Sequence, residues 1–172
     1  MDGIEIHPYD PDWPAAFQSE ARQLSAALKG ETVLDMVHFG STAIPGMPAK
    51  PIIDILVLVP DLEGARSRYP ARLDALGYDF WADNPKTDRL FFVKGMPPRG
   101  ERRTHHVHVC EPQSEMHTRL AFIDYLTAHP EDAADYAALK QDLARRYGDD
   151  RKAYTRGKEA FVARIMSLAA AP

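Results

Sequence analysis

The stretch His38-Phe39-Gly40-Ser41-Thr42-Ala43-Ile44-Pro45-Gly46, followed by Lys50-Pro51-Ile52-Ile53-Asp54-Ile55-Leu56-Val57-Leu58-Val59, decides how this chain is read. Residues 33–39 are rich in β-branched and aromatic side chains and predict a strand. Gly40, Pro45, Gly46, Pro48 and Pro51 forbid regular structure, so a loop follows. Residues 52–59 predict a second strand, and its apolar residues do not alternate with polar ones, as expected when both faces are covered. Glycine allows close backbone approach to an anion, while the adjacent N–H groups and the Ser41 hydroxyl can donate to phosphate oxygens. Lys50 adds a positive charge. No Gly-Lys-Ser/Thr occurs here and no helix follows, so this is not a Walker A loop. Asp54 lies inside an apolar run, where a carboxylate requires a cation, hydrogen-bond donors or a proton. A tight inter-strand turn and an aspartate bonded to backbone N–H groups or an arginine are the plainer alternatives.

Working outward, Asp10-Pro11-Asp12 predicts a helix start, Trp13, Phe17, Leu24 and Leu28 follow at helical spacing, and Gly30 is a stop. A helix capped by Asp61 and ending at Leu76-Gly77 is expected, with an interruption at Pro70. Short strands are read at 78–81 and 90–94, a turn at 95–100 and a further strand at 104–110. Three helices, 114–128, 131–147 and 150–170, are separated by Pro130 and Gly148. The order α-β-β-α-β-β-β and then three helices predicts an α+β fold: a mixed sheet with flanking helices and a helical C-terminal part. At 172 residues a single domain, 1–172, is expected.

The chain carries 25 acidic and 21 basic residues, a net charge of −4, which excludes a strongly basic nucleic-acid coat. No extended nucleic acid is expected as a partner. The single cysteine, Cys110, excludes a disulfide framework and a cysteine-cluster zinc site. No apolar run approaches the roughly 18 residues of a membrane span, and Met1-Asp2-Gly3-Ile4-Glu5 lacks the apolar core of a secretion signal. A cytoplasmic address with no membrane partner is the expectation.

Three further groups carry chemistry. In Thr104-His105-His106-Val107-His108-Val109-Cys110, strand periodicity puts His106 and His108 on one face and His105 on the other. Two imidazoles so placed can hold a divalent metal or flank a phosphate, or simply lie half-exposed on a sheet. Histidine-triad and cupin patterns are near but unmatched: Cys110 takes the third triad position, and Glu111 comes one residue early for a cupin. Segment 86–108 holds six basic residues (Lys86, Arg89, Lys94, Arg99, Arg102, Arg103) against Asp88 and Glu101, a local +4 suited to a phosphate-bearing ligand. Arg89 and Arg103, beside strands, are the candidates within it; Arg99 and Arg102 read as a solvated hairpin tip. Tyr154 and Lys158, four apart, share a helical face. There a ring can stack on a base and an ammonium can meet a phosphate, or both can pack and snorkel.

These motifs together resemble the GrpB family, a branch similar to the polymerase-beta-type nucleotidyltransferases. The resemblance is carried by Pro8-Tyr9-Asp10-Pro11-Asp12-Trp13, the Gly-Ser-to-Asp segment, His105 to Cys110, Phe122-Ile123-Asp124-Tyr125-Leu126, Tyr136, Leu139, Lys140, and Tyr154 with Lys158. It implies a nucleotidyltransferase-like α+β core. It also implies an accessory role, since a related domain occurs behind a dephospho-coenzyme A kinase. In active members of the wider superfamily the Gly-Ser loop holds triphosphate and Asp-x-Asp/Glu holds magnesium. Gly40 and Ser41 match the loop and Asp54 the first carboxylate, while Leu56 stands where the second would be. His106 and His108 stand where a later carboxylate is expected, and imidazole suits zinc, copper, iron or nickel better than magnesium. The resulting expectation is a cleft lined by Gly40, Ser41, Lys50, Asp54, Arg89, Arg103, His106, His108, Tyr154 and Lys158. It takes a nucleoside triphosphate or other phosphorylated small molecule, with a divalent metal on Asp54, His106 and His108. A non-catalytic nucleotide-binding or accessory module and a mononuclear metal hydrolase remain open alternatives.

Overall fold

The computed structural model describes residues 3–170, so readings that fall on Met1, Asp2 and Ala171 lie outside the described residues. Five strands, β1 (Asp35–Phe39), β2 (Ile53–Leu58), β3 (Tyr78–Phe80), β4 (Arg89–Lys94) and β5 (His105–Cys110), form one sheet in the order β1-β2-β5-β4-β3. The central pair β2–β5 is parallel and the other neighbours are antiparallel. β1 starts two residues later than the composition suggests. Leu34 still donates its amide to the Leu58 carbonyl at 2.7 Å, but its side chain is exposed.

Helix α1 (Trp13–Ala27) buries Trp13, Phe17 and Leu24 against one sheet face. Helix α2 (Leu62–Asp74) joins it there, with the Asp61 carboxylate accepting the Gly64 N–H at 2.9 Å as an N-cap. The expected interruption at Pro70 does not occur. An internal proline costs ~3 kcal/mol or more, and burial of Leu62, Ala65, Tyr69 and Leu73 on one side of α2 offsets it. These helices seal a core with Ile53, Ile55, Val57, Leu90, Phe92, Val107 and Val109.

The other face receives the C-terminal helices, and here the expectation of three helices is corrected to five. They are α3 (Glu115–Thr118), α4 (Leu120–Ala128), α5 (Pro130–Tyr147), α6 (Arg151–Gly157) and α7 (Glu159–Ala169). One residue separates α3 from α4, Arg119, and one separates α6 from α7, Lys158. This layer packs Met116, Phe122, Ile123, Leu126, Tyr136 and Ile165 onto Phe39, Leu56, Leu58 and Cys110. Leu56 is thus an apolar core residue and offers no ligand atom.

The local positive charge read in 86–108 is largely consumed by structure. Lys86 and Arg89 pair with Glu115, Lys94 with Glu20, and Arg99 with Asp74. Glu20 is the reason for Lys94: its buried carboxylate accepts from Lys94 Nζ at 2.8 Å and from the Tyr78 hydroxyl at 3.0 Å, tying α1 to the sheet. No helix among the described residues is long and apolar enough to cross a membrane.

Candidate functional site

Register brings the site together. Asp54 of β2 lies beside Phe39 of β1 and His106 of β5, and Leu56 beside His108, so Asp54, His106 and His108 share the face that looks toward the C-terminal helices. His106 Nδ1–H donates to Asp54 Oδ1 at 2.9 Å, and His108 Nε2 stands 3.5 Å from the same oxygen. Burial alone would raise the Asp54 carboxyl, but the hydrogen bonds and charges of His106 and His108 outweigh it and hold the group far below the usual carboxylate range. Burial lowers His106 in spite of Asp54. The second nitrogens, His106 Nε2 and His108 Nδ1, are buried without a hydrogen-bond partner. His105 points to the opposite face, toward Glu20, as periodicity requires.

The Gly-Ser turn sits directly over this carboxylate. Gly40 has φ +73°, and a Cβ there would lie 2.6 Å from Asp54 Oδ2, so neither the conformation nor the space admits a side chain. Ser41–Ala43 form a single 3-10 turn. A chain of polar contacts anchors it. The Thr42 hydroxyl donates to the Ile52 carbonyl at 3.4 Å and is therefore the acceptor from His38 Nε2–H at 2.9 Å. His38 stacks on Phe17 of α1, and burial pushes it down to about 4 against the pull of Asp54, which keeps it neutral. Sequence reasoning quoted His38 and Thr42 and gave them no role.

A cleft of about 650 Å³ opens between this turn and the helices. Gly40, Ser41, Lys50, Asp54, His106, Tyr154 and Lys158 all line it. Its far wall is cationic. Lys140 of α5 is 2% exposed and donates to the Pro48 carbonyl, with its ammonium 4.8 Å from the Tyr136 ring centroid. Lys158 and Lys50 stand 4.6 and 5.5 Å from the centroid of Tyr154. Burial first, then mutual repulsion among these lysines, takes Lys140 down to about 7 and Lys50 to about 8; burial lowers Lys158 too. Tyr136 rises to about 12 by burial, with the Ser41 hydroxyl pulling the other way. Three lysines, each lowered by burial and crowded by like charge, mark a place where negative charge would be stabilised. Arg119, at the α3–α4 joint, adds a further cation to the lining.

Four expected residues sit differently from the reading. Tyr154 is 1% exposed, so its ring supports lysines and offers no open face to a base. Arg89 does not line the cleft. Its guanidinium is buried against Asp88, Glu115 and the Met116 sulfur. His108 lies behind Asp54, its ring on Phe91 at 4.8 Å. Arg103 lies over Trp81 at 5.1 Å, outside the lining. Lys140 enters the sequence reading only through the family resemblance and with no site role, although it lies on the apolar stripe of its helix, four residues after Tyr136 and three before Leu143. A lysine in such a stripe is the available signal.

Donor atoms at the corners of a tetrahedron with ~2.05 Å bonds are roughly 3.3 Å apart. The Asp54–His106 and Asp54–His108 contacts of 2.9 and 3.5 Å bracket that spacing, and all three donor atoms lie within 4.8 Å of one another. The chemistry of the set, one carboxylate and two imidazoles, fits a divalent transition metal.

The sequence profile described as GrpB protein matches residues 3–168. The chain belongs to the GrpB family. It is 53% identical over 170 residues to a UPF0157 protein of Pseudomonas aeruginosa, covering 99% of this chain and 69% of that protein. It is 34% identical over 180 residues to a dephospho-CoA kinase of Mycolicibacterium paratuberculosis, spanning 92% of this chain but 44% of that one. The crystal structure of conserved protein GrpB from Enterococcus faecalis superposes with a TM-score of 0.85 at 33% identity, covering 96% of both chains. The Cid1 poly(U) polymerase structure superposes at 0.57 and 14% identity, over 88% of this chain and 49% of that one. That likeness concerns the fold alone: an α+β, nucleotidyltransferase-like mixed sheet with flanking helices.

Proposed function

We propose that this GrpB protein binds a nucleoside triphosphate in the cleft and transfers its nucleotidyl group to a small hydroxyl or amine compound or to a protein. The observation that carries the reading is one juxtaposition. An ionised Asp54 sits beneath a Gly-Ser turn, with His106 on one side and a wall of three lysines facing the same cleft. Ser41 and the backbone of the turn hold phosphate oxygens, and Lys50, Lys140 and Lys158 neutralise the remaining phosphate charge. Asp54, His106 and His108 would hold a divalent cation, which would supply Lewis-acid polarisation of a phosphoryl oxygen. His38 and Thr42 keep the turn in register with Asp54. The acceptor oxygen or nitrogen forms its bond to the α-phosphorus, the α–β anhydride bond breaks, pyrophosphate leaves, and the acceptor proton passes to solvent.

The test is pyrophosphate release from a panel of nucleoside triphosphates with magnesium, manganese, cobalt or zinc, for the natural chain and Asp54→Asn. Metal-dependent release that falls at least 100-fold in the variant supports the reading. Release unchanged in Asp54→Asn removes the carboxylate from the chemistry. Tight triphosphate binding with no release under any metal assigns a binding module instead, the reading to which the buried Leu56 points.

A further inference from the structure

The lysine wall accounts for only one end of the cleft. At about 650 Å³ the cavity is of the size that takes a whole small-molecule ligand, roughly 300–1,000 Å³, and not phosphates alone. Its other end lies between two helical stripes. Glu159, Val162, Ala163 and Met166 of α7 stand at i, i+3, i+4 and i+7, so a single face of that helix lines the cavity. Thr118 of α3 and Phe122 and Ile123 of α4 line it as well. Phe122 and Ile123 are buried, Val162 and Met166 half-buried and Ala163 exposed, which makes an apolar slot open to solvent along α7. The polar groups around the slot are spoken for, with one exception. The Thr118 hydroxyl donates to the Glu115 carbonyl at 2.8 Å and that of Thr155 to the Arg151 carbonyl at 2.9 Å. The Glu115 carboxylate pairs with Lys86, Arg89 and Arg119. Glu159 lines the cleft, is exposed and has no hydrogen-bond or ion-pair partner among the described residues. It directly follows Lys158 in the chain, and Met166 lies about 10 Å further along the helix axis.

From the α6–α7 joint onward the lining thus runs as a cation, a carboxylate and an apolar strip. We propose that this order recognises a ribonucleotide, with its phosphates at Lys158, its ribose hydroxyls on Glu159 and its base along Val162, Ala163 and Met166. The proposal rests on the triphosphate-binding part of the reading above and specifies the organic group that the phosphates carry; it does not need the transfer step. An ionised carboxylate only accepts hydrogen bonds, so Glu159 suits a sugar diol and repels a further phosphate. Thr118 and Thr155 have no hydroxyl proton left to give a base edge. The base is therefore held by apolar area, with the flexible Met166 side chain fitting itself to the ring, and its identity is read weakly.

Calorimetry without divalent metal, so that nothing turns over, compares inorganic triphosphate, ATP, 2′-deoxy-ATP and GTP on the natural chain, Glu159→Ala and Ala163→Phe. Both substitutions are at exposed helix positions, and binding of inorganic triphosphate reports that each variant is folded. ATP is expected to bind about 10-fold more tightly than inorganic triphosphate through burial of its ring. It should bind about 10-fold more tightly than 2′-deoxy-ATP, which lacks one hydrogen bond to a charged group, and within about 3-fold of GTP. Glu159→Ala removes the preference for ribose over deoxyribose. Ala163→Phe fills the slot and brings ATP down to the affinity of inorganic triphosphate. The slot is overturned, with the lysine wall untouched, by ATP binding no tighter than inorganic triphosphate or indifferent to Ala163→Phe. A ribose preference that is absent or survives Glu159→Ala overturns it too, as does a preference between ATP and GTP of about 10-fold or more. Failure of both ATP and inorganic triphosphate to bind the natural chain overturns wall and slot together. The expected selectivity with no nucleotidyl transfer once metal is added sustains this proposal and refutes the transfer reading alone.

Discussion

Lys140→Met separates what the lysine wall does for a ligand from what it does to the fold. Lys140 is held at about 7 against an ordinary 10.5, because it is buried and faces Lys158 and Lys50. At ~1.4 kcal/mol per unit, that burden on the ligand-free fold is on the order of 4 kcal/mol at neutral pH. Methionine keeps the length of the side chain and removes the charge. It also removes the hydrogen bond to the Pro48 carbonyl, worth about 1–3 kcal/mol when the acceptor is left unpaired. The variant is therefore expected to be more stable without ligand by roughly 1–3 kcal/mol, a rise in Tm of about 3–10 °C for a domain of this size. Between pH 7 and 10.5 the unfolded lysine keeps its proton while the folded one has lost it, so the natural chain gains stability with rising pH and closes the gap to the variant. Affinity for inorganic triphosphate moves the other way, falling about 10–100-fold with loss of one charge-assisted hydrogen bond. Thermal unfolding at pH 7 and 9.5, with and without triphosphate, reads both effects. A variant that melts earlier at pH 7 without ligand and binds triphosphate as well as the natural chain does would make Lys140 a strut for Pro48, refuting the anion wall.

Three other outcomes are expected. Calorimetry across pH 6 to 9 should show triphosphate affinity falling as Lys140 and then Lys50 lose their protons near 7 and 8, with proton uptake on binding in that window. Gly40→Ala forces a Cβ against the Asp54 carboxylate at a positive φ and should lower stability by about 1–3 kcal/mol; a melting curve identical to the natural one would contradict the close approach. Elemental analysis after loading with zinc or manganese should give one metal per natural chain and none in Asp54→Ala or His106→Ala; retention in both would place the metal elsewhere.

Much of this arrangement was legible in the residues, for reasons that also explain what was not. A carboxylate stranded in Ile-Ile-Asp-Ile is conspicuous because burial of charge is costly, and a strand period of two orients His106 and His108 without knowledge of the partner strand. Arg89 misled because charge beside a strand looks alike whether it faces ligand or, as here, Glu115 and Met116. Tyr154 misled because spacing fixes a helical face but not what covers it. Arg119 and Lys158 stand at helix joints; the apolar periodicity of 114–128 runs through Arg119 without a break, while at Lys158 the preceding Gly157, a poor helix former, is the one local signal. Trp81 lies past the end of a three-residue strand, too short a run for alternation to assign its face.

Each of those two joints is one residue long, and each joint residue contributes its cationic side chain to the cleft. Inserting one residue beside Lys158 would turn all of α7 by about 100° and swing that ammonium off the Tyr154 ring, while every strand kept its partner. The roof of the cleft can thus be re-aimed by lengthening or shortening a single joint, with the floor that carries Asp54 left intact.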